Sequence, residues 1–159
     1  MKVGIGYDVH QLKKGRKLII GGVEIPSVMG LSGHSDADVL THALMDAILG
    51  ALGKGDIGQH FPDTDKKYKD ISSLILLKEV HKYLLAEDYI IGNVDLILMA
   101  EKPKMTPYYL QIKDNYSGIL NISKDKINIK ATTTEKLGFV GRKEGIAAQA
   151  IVLIKRGGS

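Results

Sequence analysis

Val39-Leu40-Thr41-His42-Ala43-Leu44-Met45-Asp46-Ala47-Ile48-Leu49-Gly50-Ala51-Leu52 is the stretch that decides the fold. Its apolar residues Val39, Leu40, Ala43, Leu44, Ala47, Ile48, Ala51 and Leu52 recur every three to four positions, the spacing of one face of a helix. That face is wider than a coiled-coil seam, so the helix is expected to pack against a sheet. Gly50 and Gly53 mark its end, and His34-Ser35-Asp36-Ala37-Asp38 opens it after Gly30 to Gly33.

The rest of the chain supplies the sheet. Residues 2 to 9 read as a strand, and Lys17 to Ile20 with Val23 to Ile25 read as two short strands around Gly21-Gly22. Ile71 to Leu85 has helical periodicity, with His81 an ordinary helix residue, and Asn93 to Met99 alternates as a strand. Pro107 sits near the start of a helix running to about Ile119, Ile127, Ile129 and Ala131 mark a strand, and Ile146 to Ile154 forms the last one. Asp56 to Lys69 is polar and turn-rich and reads as a mobile surface loop able to act as a lid. Strands mixed with helices, without repeats, indicate one α/β or α+β sandwich over residues 1–159.

In the last strand Ile146, Ala148, Ala150, Val152 and Ile154 share one face, and Ala147, Gln149, Ile151 and Leu153 share the other. Both faces are largely apolar. Either the strand is covered on both sides within one chain, or one face meets a partner subunit.

Composition excludes several classes of function. The 159 residues are 44% hydrophobic and 25% charged, ordinary for one soluble domain. Net charge is +4 and the sequence pI is about 9.1, but the basic residues are scattered and form no nucleic-acid stripe. Small anionic ligands fit better. No apolar run approaches the roughly 20 residues that cross a bilayer, and no export signal is evident. With no cysteine, a metal must be held by His, Asp or Glu, and the expected location is the cytoplasm.

Asp8 and His10, two apart on a strand, project to one side, while Val3, Ile5, Tyr7 and Val9 project to the other. With His42 they make an N/O donor set suited to zinc, and three protein ligands leave a coordination position open for substrate. Asp38 and Asp46, one turn on either side of His42, could orient the imidazole; equally they are solvated helix charges, the reading favoured for Asp46. His34 and Ser35 stand where helix N–H groups favour a phosphate, although capping alone explains Ser35 or Asp36. Thr132-Thr133-Thr134-Glu135-Lys136-Leu137-Gly138 could hold a diphosphate and a second, oxygen-loving cation on Glu135. Thr132-x-x-Glu135 also fits a capping box, and taken alone it reads as a cap. Arg142 could grip phosphate in bidentate fashion, and Lys104 could add positive charge.

Six segments together resemble the 2-C-methyl-D-erythritol 2,4-cyclodiphosphate synthases, enzymes of the non-mevalonate isoprenoid pathway. They are Gly6-Tyr7-Asp8-Val9-His10; His34 to Asp38 with His42; Gly55-Asp56-Ile57-Gly58; Phe61-Pro62-Asp63-Thr64-Asp65; Pro103-Lys104-Met105; and Ala131 to Gly138. The resemblance runs almost end to end. It implies a homotrimer with active sites between subunits, each subunit pairing a mixed sheet with a layer of helices. It also implies a reaction: a 4-diphosphocytidyl-methylerythritol 2-phosphate cyclises as its 2-phosphate attacks the β-phosphorus and expels CMP.

The resemblance further implies residue roles. Asp8, His10 and His42 would hold zinc, and Glu135 would contact a second ion, magnesium or manganese. His34 and Thr133 would position and stabilise the transition state. Asp8, Val9, His10, His34 and Ser35 would touch the phosphorylated polyol, Asp56, Ile57 and Gly58 would bind its hydroxyls, and the Phe61, Pro62, Asp63, Thr64, Asp65 loop would close on it. Ala100, Glu101, Lys102, Pro103, Lys104, Met105 and Thr106, with Thr132, Thr133, Thr134 and Glu135, would hold the cytidine phosphate, and Phe139 and Arg142 would complete the surroundings.

Tyr7 replaces a phenylalanine common in the family, and Gln149 stands where a glutamate is frequent, so a role of the trimer's central channel in binding isoprenoid diphosphates is left open. Two other functions compete: a zinc-dependent phosphohydrolase, and a non-catalytic trimeric module with a structural metal, which would normally need a fourth protein ligand.

Overall fold

The computed structural model describes residues 1–158. Five strands form one mixed sheet in the order β4-β1-β7-β5-β6: β1 (Lys2–Lys14), β4 (Met29–Ser32), β5 (Tyr89–Met99), β6 (Ile127–Thr132) and β7 (Gly145–Arg156). Only β5 and β6 run parallel; the other neighbours are antiparallel. Strands β2 (Leu18–Ile20) and β3 (Val23–Ile25) form a separate hairpin. Its turn, Gly21-Gly22, has positive φ at both residues, the two-residue geometry that glycine adopts without strain. The main helices are α1 (Val39–Leu52), α3 (Ser73–Ala86) and α4 (Tyr109–Leu120); α2 (Ile57–His60) and α5 (Gly138–Gly141) are single turns. No helix among the described residues is long and apolar enough to cross a membrane.

Helix α1 is more central than its sequence face suggests. Met45 and Leu49, off the apolar stripe, are as buried as the stripe itself, because α1 is covered by α3 as well as by the sheet. A helix enclosed on all sides tolerates apolar residues all round. It starts at Val39, with Asp38 as cap, and ends at Gly53 in the left-handed region. Asp38 is fully buried, and its carboxylate accepts from the N–H groups of Gly21, Gly22 and Thr41 and from the Thr41 hydroxyl. Four donors satisfy it, so the hairpin turn is pinned to the helix start. Burial and the nearby Asp36 charge raise its pKa.

Two glycines set how closely α1 lies on the sheet. A Cβ on Gly4 would come 1.8 Å from the Ala47 carbonyl, and one on Gly6 would come 2.0 Å from that of Ala43. Only a residue without a side chain allows that approach. Gly4, Gly6, Asp8 and His10 share one face of β1, so the helix resting on the glycines carries His42 to Asp8.

Several expectations change. Strand β1 extends past residue 9 to Lys14, because Gln11 to Lys14 pair with β4, a strand with no signal of its own in the sequence. Residues 56–69 contain α2 and a 3₁₀ turn at Lys66–Tyr68. Asp56 and Asp65 nucleate these turns by accepting N–H groups from Gln59 and Lys67. On β7, Ile146, Ala148, Ala150, Val152 and Ile154 are buried, while the opposite face is open at Ile151.

Candidate metal centre and adjoining pockets

Asp8, His10 and His42 meet. His10 Nε2 lies 2.9 Å from Asp8 Oδ2, His42 Nδ1 lies 3.0 Å from the same oxygen, and the two ring nitrogens are 3.0 Å apart. Ligand atoms around a tetrahedral zinc with bonds of about 2.0–2.1 Å lie roughly 3.3–3.4 Å from one another, so the observed separations are close to that donor geometry. One carboxylate and two imidazoles fit a divalent ion of borderline softness. Burial works against ionisation of Asp8, but hydrogen bonds with His10 and His42 and their charge outweigh it and hold the carboxyl well below the usual carboxylate range. Burial likewise works against charging His10, and the hydrogen bond and charge of Asp8 outweigh it, so its pKa is raised.

The other ring atoms are also engaged. His10 Nδ1 is 3.1 Å from the Ser32 carbonyl. A carbonyl only accepts, so Nδ1 carries the proton and Nε2 is left to face the cluster. His42 Nε2 lies 3.1 Å from Ser35 Oγ and 3.0 Å from Ser73 Oγ. The expectation that Asp38 orients His42 is therefore corrected, since Asp38 is fully occupied by the hairpin turn and Thr41. Asp46 is not merely solvated: it accepts the Ile57 N–H at 2.8 Å and fixes the start of α2. Ser73 was missed because nothing in the sequence connects it with His42; a serine at a helix start reads only as a cap.

A cavity of about 500 Å³ adjoins the cluster, lined by Asp8, His10, His34, Ser35, His42, Ile57, Gly58, Phe61, Pro62, Asp63 and Thr64, with Tyr68 and Leu76 added. His34 Nε2 donates to the Asp65 carbonyl at 3.2 Å, tying it to the loop. Asp56 and Asp65 do not line this cavity, since both carboxylates serve as turn caps. Val9 points the other way, to the exposed face of β1.

A second cavity, of about 510 Å³, is lined by Ala100, Glu101, Lys102, Pro103, Lys104, Met105, Thr106, Thr132 and Thr133. The register of β1, β7, β5 and β6 sets the second cavity two to three inter-strand steps from the first, roughly 10–14 Å at about 4.8 Å per step. Within one chain the metal cluster and the Thr132–Glu135 turn are thus not brought together. The capping-box reading of that turn is overturned. Helix α5 starts only at Gly138 and has no side-chain cap, and Glu135 and Lys136 are both left-handed. Glu101 shapes the turn by accepting from the N–H groups of Thr134 and Lys136, and Thr133 Oγ1 donates to Glu135. Arg142 makes its bidentate contact with Glu144. Phe139 lines a shallow pocket with Val9 and His10.

Fold and donor set together define a single-domain α+β protein with a candidate divalent-metal centre at one end of its sheet. The chain belongs to the YgbB family, whose sequence pattern matches residues 1–155. It is 65% identical to 2-C-methyl-D-erythritol 2,4-cyclodiphosphate synthase of Halothermothrix orenii over 97% of this chain and 93% of that protein. It is 60% identical to the synthase of Alkaliphilus metalliredigens over 97% of each chain. Among solved structures, IspF of Plasmodium falciparum in complex with CDP matches with a TM-score of 0.86 and 36% identity, over 98% of this chain and 96% of that one. The bifunctional IspDF of Campylobacter jejuni matches with a TM-score of 0.94 and 45% identity over 98% of this chain, which spans 42% of that longer protein.

Proposed function

We propose that this chain is a cyclodiphosphate synthase that converts 4-diphosphocytidyl-2-C-methyl-D-erythritol 2-phosphate to 2-C-methyl-D-erythritol 2,4-cyclodiphosphate and CMP, a lyase-type step of non-mevalonate isoprenoid synthesis. The observation that carries this reading is the meeting of Asp8, His10 and His42 beside a polyol-sized cavity, in a chain 65% identical to a synthase of that name. Asp8, His10 and His42 would hold zinc, and Glu135 a second ion, magnesium or manganese. When bound, such ions supply Lewis-acid polarisation of phosphoryl oxygens.

The protein's own groups do the rest. An oxygen of the 2-phosphate forms a bond to the β-phosphorus as the bond from that phosphorus to the CMP oxygen breaks, and CMP leaves with the electron pair. No covalent enzyme nucleophile is needed, so catalysis rests on positioning and charge stabilisation. His34 and Ser35, at the cavity wall, hold the 2-phosphate. Ile57 and Gly58 with the Phe61–Thr64 loop enclose the polyol and exclude water. Residues 100–106 and Thr132–Thr133 hold the cytidine phosphate side, where Thr133 helps position the transferring group and stabilise its transition state.

The two halves of that site lie two to three strands apart along the sheet of one chain, about 10–14 Å at about 4.8 Å per strand. A homotrimer with sites between subunits closes the gap, one subunit offering the metal cavity and its neighbour the nucleotide loops. The exposed row Val3, Ile5, Tyr7 and Val9 on β1, with Ile151 beside it on β7, supports such an interface, since monomers rarely expose contiguous apolar patches of this kind.

Incubation with the cytidyl substrate and magnesium is expected to yield CMP and the cyclic diphosphate in equal amounts. Release of inorganic phosphate without cyclic product would identify a zinc phosphohydrolase instead and defeat the proposal. Sedimentation showing only monomer would defeat the shared site.

A further inference from the structure

Ser73, the first residue of α3, is fully buried, and the reaction described above makes no use of it. Its Oγ lies 2.5 Å from Asp36 Oδ1, its N–H donates to Asp36 Oδ2 at 2.9 Å, and its Oγ lies 3.0 Å from His42 Nε2. A carboxylate only accepts, so the Ser73 hydroxyl proton is committed to Asp36. What Ser73 presents to His42 is therefore a lone pair, and it accepts the Nε2–H. An imidazole with its proton on Nε2 has its lone pair on Nδ1, the atom that faces Asp8 and His10. Ser35 Oγ also approaches Nε2, but its other contact is the Ala37 N–H at 3.3 Å, so its proton can turn toward the ring or away. Ser35 tolerates either tautomer; Ser73 selects one.

We propose that Ser73, held by Asp36, is a positioning residue for the metal centre, fixing both the tautomer and the orientation in which His42 presents Nδ1. It does for His42 what the Ser32 carbonyl does for His10. The same contacts reach the substrate cavity. The Asp36 N–H donates to the Ile71 carbonyl and the Asp70 N–H to that of His34, so the chain returning from the Phe61–Asp65 loop is stitched to the segment that carries Ser35. The loop's exit and the ligand's orientation share one hydrogen-bonded junction.

The proposal rests on the zinc reading of the preceding section, and the test separates the two. Zinc affinity is measured on the full chain by competition with a chromophoric chelator, and the His42 Nε2–H resonance is followed by ¹H–¹⁵N NMR in the zinc-loaded protein. Loss of an outer hydrogen-bond partner typically weakens metal binding about 10–100-fold. Ser73→Ala is expected to show that loss with unchanged circular dichroism, a shifted and faster-exchanging Nε2–H signal, and a smaller effect from Ser35→Ala. Ser73→Thr, which keeps the hydroxyl, is expected to restore part of the affinity. Should Ser73→Ala not fold, Asp36→Asn serves in its place: an amide can donate to Ser73, release its proton toward the ring and so produce the same loss. Wild-type protein that binds no zinc would sink the zinc reading itself. Folded variants with wild-type affinity and an unmoved Nε2–H signal, on a wild type that does bind zinc, would overturn only the role of Ser73.

Discussion

The two faces of β1 use the same alternation for opposite ends. One face carries Gly4, Gly6, Asp8 and His10, two positions without side chains followed by two candidate ligands. The other carries Val3, Ile5, Tyr7 and Val9, four apolar side chains that are 44% to 66% exposed. The usual expectation for a half-buried strand is apolar side chains inward and polar ones outward, and here it is reversed. The inner face gives up side chains so that α1 can sit on the backbone, and that contact fixes the distance from His42 to Asp8. The outer face keeps its apolar residues although nothing in one chain covers them. The lesson is that a strand's hydrophobic pattern identifies a buried face without saying which body buries it.

The largest expected effect comes from the inner face. His42→Ala removes a ligand from the cluster and should abolish zinc binding and lower turnover by about 10²–10³-fold or more, with the fold retained by circular dichroism; full metal content by elemental analysis would remove His42 from the site. On the outer face, Ile5→Glu puts a carboxylate into the proposed subunit contact. It should shift sedimentation toward monomer and reduce activity with it, while chain folding and zinc binding persist. A trimer of unchanged stability would show that the interface lies elsewhere. Mixing His42→Ala with Thr133→Ala subunits, each inactive alone, should regain part of the activity if sites are shared, and none if each chain holds a complete site.

A smaller effect should come from Gly6→Ala. Overpacking typically costs about 1–3 kcal/mol, and here the obstacle is the Ala43 carbonyl, which cannot turn aside. Denaturant unfolding should show the loss, with weaker zinc binding alongside because α1 lifts from β1. Unchanged values for both would break the link between the glycines and the cluster.

The smallest effect is on pH dependence. The raised pKa of His10 contributes stability to the metal-free protein that is fully present below about pH 6.5 and lost as pH rises through the folded value. The depressed pKa of Asp8 contributes stability above about pH 3.9 that is lost only in acid, so it is constant over the neutral range. Zinc competes with the His10 proton, so its affinity should change in the opposite sense, falling as pH drops toward 6. Melting of the metal-free protein and zinc titration at pH 8 and 6 should therefore move in opposite directions, and parallel changes would count against His10 as a ligand.

Much of this was legible because it is periodic or local. The stripe from Val39 to Leu52 announced α1, the alternation of β1 put Asp8 and His10 on one side, and the family's segments stood in order. What escaped the sequence depends on distance. Asp38 looked like a partner for His42 because it stands one turn away, but the hairpin turn and Thr41 together take its acceptor capacity. Thr132-x-x-Glu135 has the spacing of a capping box, yet Glu101, brought over by the parallel pairing of β5 with β6, holds the turn in a left-handed shape instead. Ser73 carried no signal at all.

The sequence by itself determined the main helices and the longer strands, the donor types and the family, since these follow from side-chain period and residue chemistry along the chain. The tertiary structure alone decided which donors meet, which carboxylates are already spent as caps, and that the Thr132–Glu135 turn stands three strands from the Asp8, His10 and His42 cluster. These depend on the register of the sheet and on how closely α1 can approach two glycines, and neither quantity is written in any local stretch of residues.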